Sequence, residues 1–356
     1  MNEDQIKHIL VIRFRRVGDA ILTSAVCSSL RKTFPNAQID YVVNDGIDSL
    51  FRNHPDVDRL ITFSAQENHS LFRYLLKVWG IMRATPYDII IDTRSTVRTL
   101  SFSLFSLRSK FRIGVAKKYN FGIQNHPVKV RALKDVNIIQ WLLFLLTPLA
   151  AQFDVQQTEK FQLFPDSKAV DDIHQAMTKA GVDFTKPVVF VAATTRIKHK
   201  MWSAKKMAIV LQQLVDEYDC QLIFNATGVE SALLNEIKSH MRDDRNWFSN
   251  IPAPSLGDLS ALIKNCHLFF GNEGGPRHIA QALGVPSLAI FPPNTSAAKW
   301  LPNPSAEQQA ITVDAILQDA HPSELSDWLS VEDVWLKLAP FVEMHSARAT
   351  QQTQDS

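Results

Sequence analysis

The polarity pattern changes period once within the first 31 residues. Ile9 to Ile12 is an uninterrupted apolar run, as expected of a strand buried on both faces; from Ala20 onward Ile21, Leu22, Ala25, Val26 and Leu30 recur at helical spacing. The turn between them ends in Gly18-Asp19. The Asp19 carboxylate falls where a helix N-cap is expected and at the carboxyl end of the first strand of a parallel sheet, where open α/β sheets bind ligands. Asp19 is therefore either a cap or a chemically active group at a strand end.

The alternation continues. Residues 38–43, 59–63, 87–92 and 111–115 read as strands, and residues 46–52, 71–83, 97–107 and 136–146 as helices, with a basic loop carrying Tyr119, Phe121 and His126 in between. Strands spaced by helices predict a parallel, doubly wound sheet, because a crossover between parallel strands needs the length a helix supplies. From 152 to 187 the pattern becomes a polar connection with one helix, 166–180, and a break at Lys186-Pro187. A second set then begins, with strands at 188–192, 221–225, 267–270 and 287–291 and helices at 203–218, 229–241, 255–264 and 276–283. Ser330-Val-Glu-Asp333 caps an amphipathic helix through about Val342. A chain of 356 residues exceeds one comfortable core. The order predicts two α/β domains, 1–165 and 166–345, followed by a disordered tail, 346–356.

Composition narrows the class. The three cysteines, Cys27, Cys220 and Cys266, lie far apart in apolar segments, which predicts core thiols in a reducing compartment. The longest apolar run, 141–151, is about half the roughly 18–20 residues of a spanning helix and contains Pro148, so a soluble cytosolic protein is expected. The net charge of +2 hides an asymmetry: the first 150 residues carry 21 basic against 12 acidic side chains, the remainder 17 against 24. Between Arg94 and Lys134 stand ten Lys or Arg and no acid, a block that favours an anionic partner. Tyr119 and Phe121 are too few to make a stacking platform, so nucleic acid is not the expected partner.

Two further segments carry candidate chemistry. Gly271-Asn272-Glu273-Gly274-Gly275-Pro276-Arg277-His278 runs from a strand into a helix; its glycines let backbone amides approach a ligand, and the helix N-terminus adds partial positive charge suited to a diphosphate. Glu273 can accept from sugar hydroxyls, and Arg277 and His278 can donate to phosphate. After strand 188–192, Thr194, Thr195, Arg196 and Lys200 put hydroxyls and cations in a loop before a helix, a set able to hold a departing diphosphate. The turn after the first strand lacks G-x-G-x-x-G, which argues against a dinucleotide-dependent oxidoreductase.

Together these segments resemble glycosyltransferase family 9, the ADP-heptose:lipopolysaccharide heptosyltransferases. The match includes Ile9-Leu-Val-Ile-Arg13 with Gly18-Asp19, Tyr87-Asp88-Ile-Ile-Ile-Asp92 followed by Arg112-Ile113-Gly114, Ala193-Thr194-Thr195-Arg196 with Lys200-Met201-Trp202, the Gly271–His278 run, and Val331-Glu332-Asp333-Val334. The Arg13-Phe14-Arg15 form of the first loop is nearest to the heptosyltransferase III-like branch. The resemblance implies a GT-B fold: two Rossmann-like domains facing a cleft, 1–165 binding the acceptor and 166–345 the nucleotide sugar, with the C-terminal helix packing back on the first. It implies inverting, metal-independent transfer of heptose from ADP-heptose to the lipopolysaccharide inner core, with no cofactor. Asp19 matches the general base. Thr194, Thr195, Arg196, Lys200, Glu273, Gly274, Gly275 and His278 are expected at the donor, and Arg15, Arg16, Arg94 and Arg98 at the acceptor. The expected location is the cytoplasm, peripheral to the inner membrane. Glu273-Gly274-Gly275 departs from the Asp-Thr-Gly of the first-enzyme heptosyltransferases, which leaves two alternatives: a GT-B transferase using another nucleotide sugar, or a non-catalytic binding protein.

Overall fold

In the computed structural model of the chain, the opening apolar run is β1 (His8–Ile12), buried from Ile9 to Ile12, and the helical spacing after it is α1 (Val17–Thr33). The structure describes residues 3–352 apart from 121, 131–132, 134, 196–199, 227, 294 and 314–327, with the backbone alone for 347–352. The chain divides into two compact units, Met1–Phe164 and Pro165–Ser356.

The first unit continues through β2 (Gln38–Asn44), β3 (Arg59–Phe63), α2 (Ala65–His69), α3 (Leu71–Ala84), β4 (Ile89–Asp92), α4 (Leu100–Leu104), β5 (Phe111–Val115), β6 (His126–Val128) and α5 (Ile138–Leu143). Its strands form one parallel sheet in the order β3-β2-β1-β4-β5-β6. The second unit runs α6 (Ser167–Lys179), β7 (Val188–Ala192), α7 (Ala204–Tyr218), β8 (Gln221–Ile223), α8 (Val229–Ser239), β9 (Trp247–Phe248), α9 (Leu256–Lys264), β10 (Leu268–Asn272), α10 (Gly275–Ala282), β11 (Ser287–Ile290), α11 (Ala297–Trp300), β12 (Gln308–Ile311) and α12 (Val331–Gln352). Its sheet, also parallel, has the order β12-β11-β10-β7-β8-β9. Counted from its own first strand, each sheet follows the Rossmann order, in which the chain reverses direction between the first and fourth strands and opens a crevice at their carboxyl ends. Those reversals fall between β1 and β4 and between β7 and β10.

Several elements differ from the pattern reading. Three edge or near-edge strands, β6, β9 and β12, are absent from it, because two to four residues with polar members such as Gln308 and Gln309 carry too little periodicity to register. The segment expected as one helix over 136–146 is α5 followed by a 3-10 stretch to Ala151, consistent with Pro148 lacking the N–H that an α-turn needs. Residues 46–52 form only a 3-10 turn at Asp48–Leu50. The helix at the C-terminus runs on to Gln352 through the start of the expected tail; residues 353–356 lie outside the described ones. Helix α12 buries Val334, Leu338, Phe341 and Val342 in the second unit's own core, beside α7.

One glycine is demanded by sheet geometry. A Cβ added to Gly271 would lie 2.4 Å from the Ala192 carbonyl oxygen, and its φ is +139°. Gly271→Ala is therefore expected to cost about 2–5 kcal/mol, the sum of a positive-φ penalty and overpacking. Gly80, inside α3 with open space around its Cβ position, has the opposite sign: Gly80→Ala is expected to gain about 0.5–1 kcal/mol. Urea unfolding followed by tryptophan fluorescence checks both, and equal midpoints for the two variants would refute the geometric argument.

Candidate active site

The first unit's reversal point is built from the turns that follow β1 and β4. Ile12 and Asp92 stand side by side as the last residues of these strands. Arg13 follows directly, mostly buried; its backbone N–H donates to Val42 O at 3.0 Å, and its guanidinium donates to Asp19 Oδ1 at 2.5 Å and to Thr93 Oγ1 at 3.4 Å. The Asp19 side chain stays 17 % exposed, and Oδ2 accepts no hydrogen bond among the described residues. Helix α1 begins at Val17, three residues earlier than expected, so Asp19 occupies the first turn rather than the cap, and the capping position, Arg16, makes no side-chain cap bond. Asp19 is thus not spent on capping. Its carboxylate is instead oriented by a charge-assisted bond from Arg13.

Arg15 and Arg16 are exposed in the same turn. Arg15 holds a left-handed backbone, φ +81°, uncommon for a residue with a Cβ and the kind of strain that collects at functional sites. Across from them, the fully buried carboxylate of Asp92 accepts the N–H groups of Arg94 and Ser95 at 3.0 and 2.8 Å and fixes the turn that presents Arg94. Burial pushes the Asp92 carboxyl above its ordinary value, against the bonds it accepts. Arg94 is pushed below its ordinary value by burial first, then by the like charges of Arg15 and Arg13, with Asp19 and Asp92 opposing. Arg13, Arg15, Arg94 and Asp19 therefore form one electrostatic group. Arg98 does not join it: its guanidinium donates to Asn68 O at 2.7 Å and lies 4.9 Å from the Tyr74 ring.

The basic block is less free than its composition implies. Arg112 donates to the carbonyls of Leu107, Ser109 and Ile123, Lys110 pairs with Asp88 at 3.1 Å, and Lys117 donates to Arg94 O at 2.7 Å. Tyr119 donates to Ser95 O at 2.8 Å, so this loop braces the Arg94 turn. Arg108, Lys118 and Lys129 are exposed, while Arg131, Lys134 and Phe121 lie outside the described residues.

At the second unit's reversal point, Asn272 ends β10 and fastens the neighbouring loop at both ends. Its Nδ2 donates to Ala192 O and Ala193 O at 3.1 and 2.8 Å, and its Oδ1 accepts the Trp202 N–H at 2.9 Å. Trp202, fully buried, donates from its indole to Leu329 O at 3.1 Å. Thr194, Thr195 and Lys200, each half-buried, are held between these anchors; Arg196 lies outside the described residues. Gly274 precedes α10, which begins at Gly275 with Pro276 in its first turn, so the amides at the helix start face the strand ends.

Glu273, His278 and Arg277 form a compact cluster there. The Glu273 backbone N–H donates to Ile290 O at 2.9 Å, and its carboxylate lies 3.6 Å from His278 Nε2. Burial raises the Glu273 carboxyl, but His278, Arg277 and Lys200 together hold it below its ordinary value. Arg277 is not the phosphate donor expected: fully buried, it donates to Trp300 O at 2.7 Å and Gln281 Oε1 at 2.8 Å, stacks over Phe291, and is pushed down to about 10 by desolvation. It ties α10 to α11. His278 is buried beside it, turned to Glu273. Among the described residues no cluster of three or more His, Cys, Asp or Glu side chains is placed to hold a metal ion.

Arg13, Asn272 and Trp202 were not among the expected site residues. Arg13 and Asn272 stand where apolar strands give way to polar residues, a signal visible in the sequence once strand ends are treated as ligand-facing. Trp202 gives no such signal, since its partner lies 70 residues away.

The sequence profile of glycosyltransferase family 9 (heptosyltransferase) matches residues 75–322. Lipopolysaccharide heptosyltransferase 3 of Escherichia coli is 26% identical over 283 residues, covering 77% of this chain and 80% of that protein. A crystal structure of a family 9 glycosyl transferase from Veillonella parvula superposes with a TM-score of 0.81 at 18% identity, over 95% of this chain and 98% of that one. The structure of the E. coli ADP-heptose lipopolysaccharide heptosyltransferase II superposes with a TM-score of 0.72 at 18% identity, over 95% and 99%. These likenesses agree with the paired Rossmann sheets expected of a GT-B protein, and the profile match extends over more than half of the chain: it belongs to glycosyltransferase family 9, the heptosyltransferase family.

Proposed function

We propose that this glycosyltransferase moves a heptose from ADP-heptose to a phosphorylated sugar of the lipopolysaccharide core, with inversion and without a metal ion. The observation that carries the reading is Asp19: a carboxylate at a sheet's reversal point, oriented through one oxygen by Arg13, with the other oxygen unengaged among the described residues. The names of the E. coli relatives, heptosyltransferases of lipopolysaccharide and in one case of ADP-heptose, support the donor and acceptor classes. The Arg13-Phe14-Arg15 loop and the similarity to heptosyltransferase 3 support that branch.

In this mechanism an acceptor hydroxyl attacks the anomeric carbon from the face opposite the diphosphate. Asp19 takes the hydroxyl proton as the new carbon–oxygen bond forms, and the electron pair of the broken bond leaves with ADP. Thr194, Thr195, Arg196, Lys200 and the amides at Gly274 and Gly275 bear the growing charge on the diphosphate, work that a divalent metal does in other transferases. Glu273, kept anionic by His278, accepts from sugar hydroxyls. Arg15, Arg16 and Arg94 gather acceptor phosphates, and the exposed Arg108, Lys118 and Lys129 face its anionic surroundings at a membrane.

Asp19→Asn should lower kcat about 10²–10⁴-fold and leave the Kd for ADP within about twofold. A variant that keeps wild-type turnover would reduce Asp19 to a structural role. ADP, but not GDP or UDP, should raise the unfolding temperature, and Lys200→Ala should weaken ADP binding about tenfold or more. Equal protection by UDP would replace the donor, and loss of transfer in EDTA would overturn metal independence.

A pH experiment tests the Glu273 cluster. The folded-state carboxyl titrates below the ordinary 4.5, so Glu273 binds protons less readily folded than unfolded. Its contribution to stability is present above pH 4.5 and is lost as pH falls through the depressed folded value. The melting temperatures of wild type and Glu273→Gln should accordingly differ most near neutral pH and converge on acidification; a gap that widens in acid would contradict the sign.

A further inference from the structure

Helix α3 has two apolar faces, and among the described residues only one is packed against a partner. Tyr74, Val78 and Met82, spaced one turn apart, are buried. On the other side Phe72, Leu76 and Trp79, again at helical spacing, are 73, 56 and 47 % exposed. A surface helix ordinarily carries polar residues there. The segment Leu71–Ala84 contains no acidic residue at all, and the outward stripe is flanked by exposed Arg73 and Arg83, the latter stacked 5.2 Å from the Trp79 ring. The neighbouring α4 extends the face: the Tyr74 hydroxyl donates to Arg98 O at 3.2 Å just before α4, and Leu104 at its last position and Leu107 beyond it are exposed.

We propose that this outer face of α3, continued by α4, docks on the anionic surface of a lipid bilayer. Aromatic and aliphatic side chains with flanking cations are the composition that settles at the headgroup boundary, the rings entering the acyl edge and the guanidinium groups meeting phosphates. A second copy of the chain fits less well. In a self-complementary contact the same stripe meets itself, bringing Arg73 and Arg83 against their own counterparts, whereas an anionic bilayer neutralises them. No helix among the described residues is long and apolar enough to cross a membrane, so the contact lies in the plane of the surface.

The placement serves the site of the same unit. The Phe14 ring, in the turn that carries Arg13, Arg15 and Arg16, packs 6.3 Å from Tyr74 and 6.4 Å from Phe102, on the inner side of α3 and α4. A bilayer against the outer side therefore holds a lipid-linked acceptor near the turn that ends at Asp19. The inference rests on the functional reading only for the acceptor being lipid-linked; docking itself is measured without the transfer reaction.

The test is flotation of the full-length protein with phosphatidylcholine vesicles, with and without phosphatidylglycerol. Wild type should float with the anionic vesicles and remain behind with the zwitterionic ones. The double variants Phe72→Ser/Trp79→Ser and Arg73→Ser/Arg83→Ser, all at exposed positions, should each lower partitioning about tenfold or more at unchanged melting temperature. Brominated lipid should quench wild-type tryptophan fluorescence more than that of Trp79→Phe. Wild-type failure to bind anionic vesicles, or undiminished binding by the apolar double variant, overturns the proposal. So does a wild-type dimer that the apolar variant converts to monomer while vesicle binding is unchanged, which would assign the face to a second copy. Transfer to a deacylated, water-soluble acceptor should be equal in wild type and the docking variants. Absence of that transfer from wild type itself would sink the functional reading and leave the vesicle result standing.

Discussion

Each sheet reverses the direction in which it adds strands, after β3 in the first unit and after β9 in the second, and the candidate site residues stand at those reversals. Parallel strands all deliver their carboxyl ends to one edge, where crossover helices normally cover them; at a reversal the crossovers leave in opposite directions and two strand ends stay open. Asp19 and Arg94 come from one such pair of ends, Thr195, Lys200 and Glu273 from the other. Gly271 lets β7 and β10 approach closely, and the Asn272 side chain ties Ala192, Ala193 and Trp202 to the end of β10, beside the helix start at Gly275.

Buried charge is the second organising feature. Asp19 is paired with Arg13, and Glu273 stands with His278 and Arg277 in a poorly solvated position, where burial alone would favour its protonated form. Asp92 shows the contrast: held by backbone amides, it is pushed upward by desolvation. The cations beside Glu273 outweigh its burial and keep it anionic. In both units a carboxylate that could act on a ligand is set by a neighbouring cation, while the carboxylate that only shapes a turn is set by backbone.

The basic block illustrates how composition overstates function. Arg112, Lys110 and Lys117 are engaged by carbonyls and by Asp88, and Arg98 is bound to Asn68 and Tyr74, so these cations brace loops. Helix α3 holds only three of the unit's basic residues, yet it presents an outward face with both apolar and cationic character.

By itself the sequence determined the fold class, the central strands and most of the helices, because those follow from local periodicity and from caps such as Ser255 and Ser330. It also brought Asp19, Thr194, Thr195, Lys200 and Gly275 forward as candidates, since each stands where an apolar run ends and a turn begins. Only the tertiary structure decided which polar groups remain free for a ligand. Arg277 is withdrawn by a carbonyl 23 residues away, Trp202 is fixed by a side chain 70 away, and Asp19 is released from capping and given to Arg13. The short strands β6, β9 and β12 likewise exist only because a neighbouring strand supplies their hydrogen bonds. Periodicity is written within one helix or strand, whereas the availability of a charged side chain depends on whichever distant backbone the fold brings within 3 Å of it.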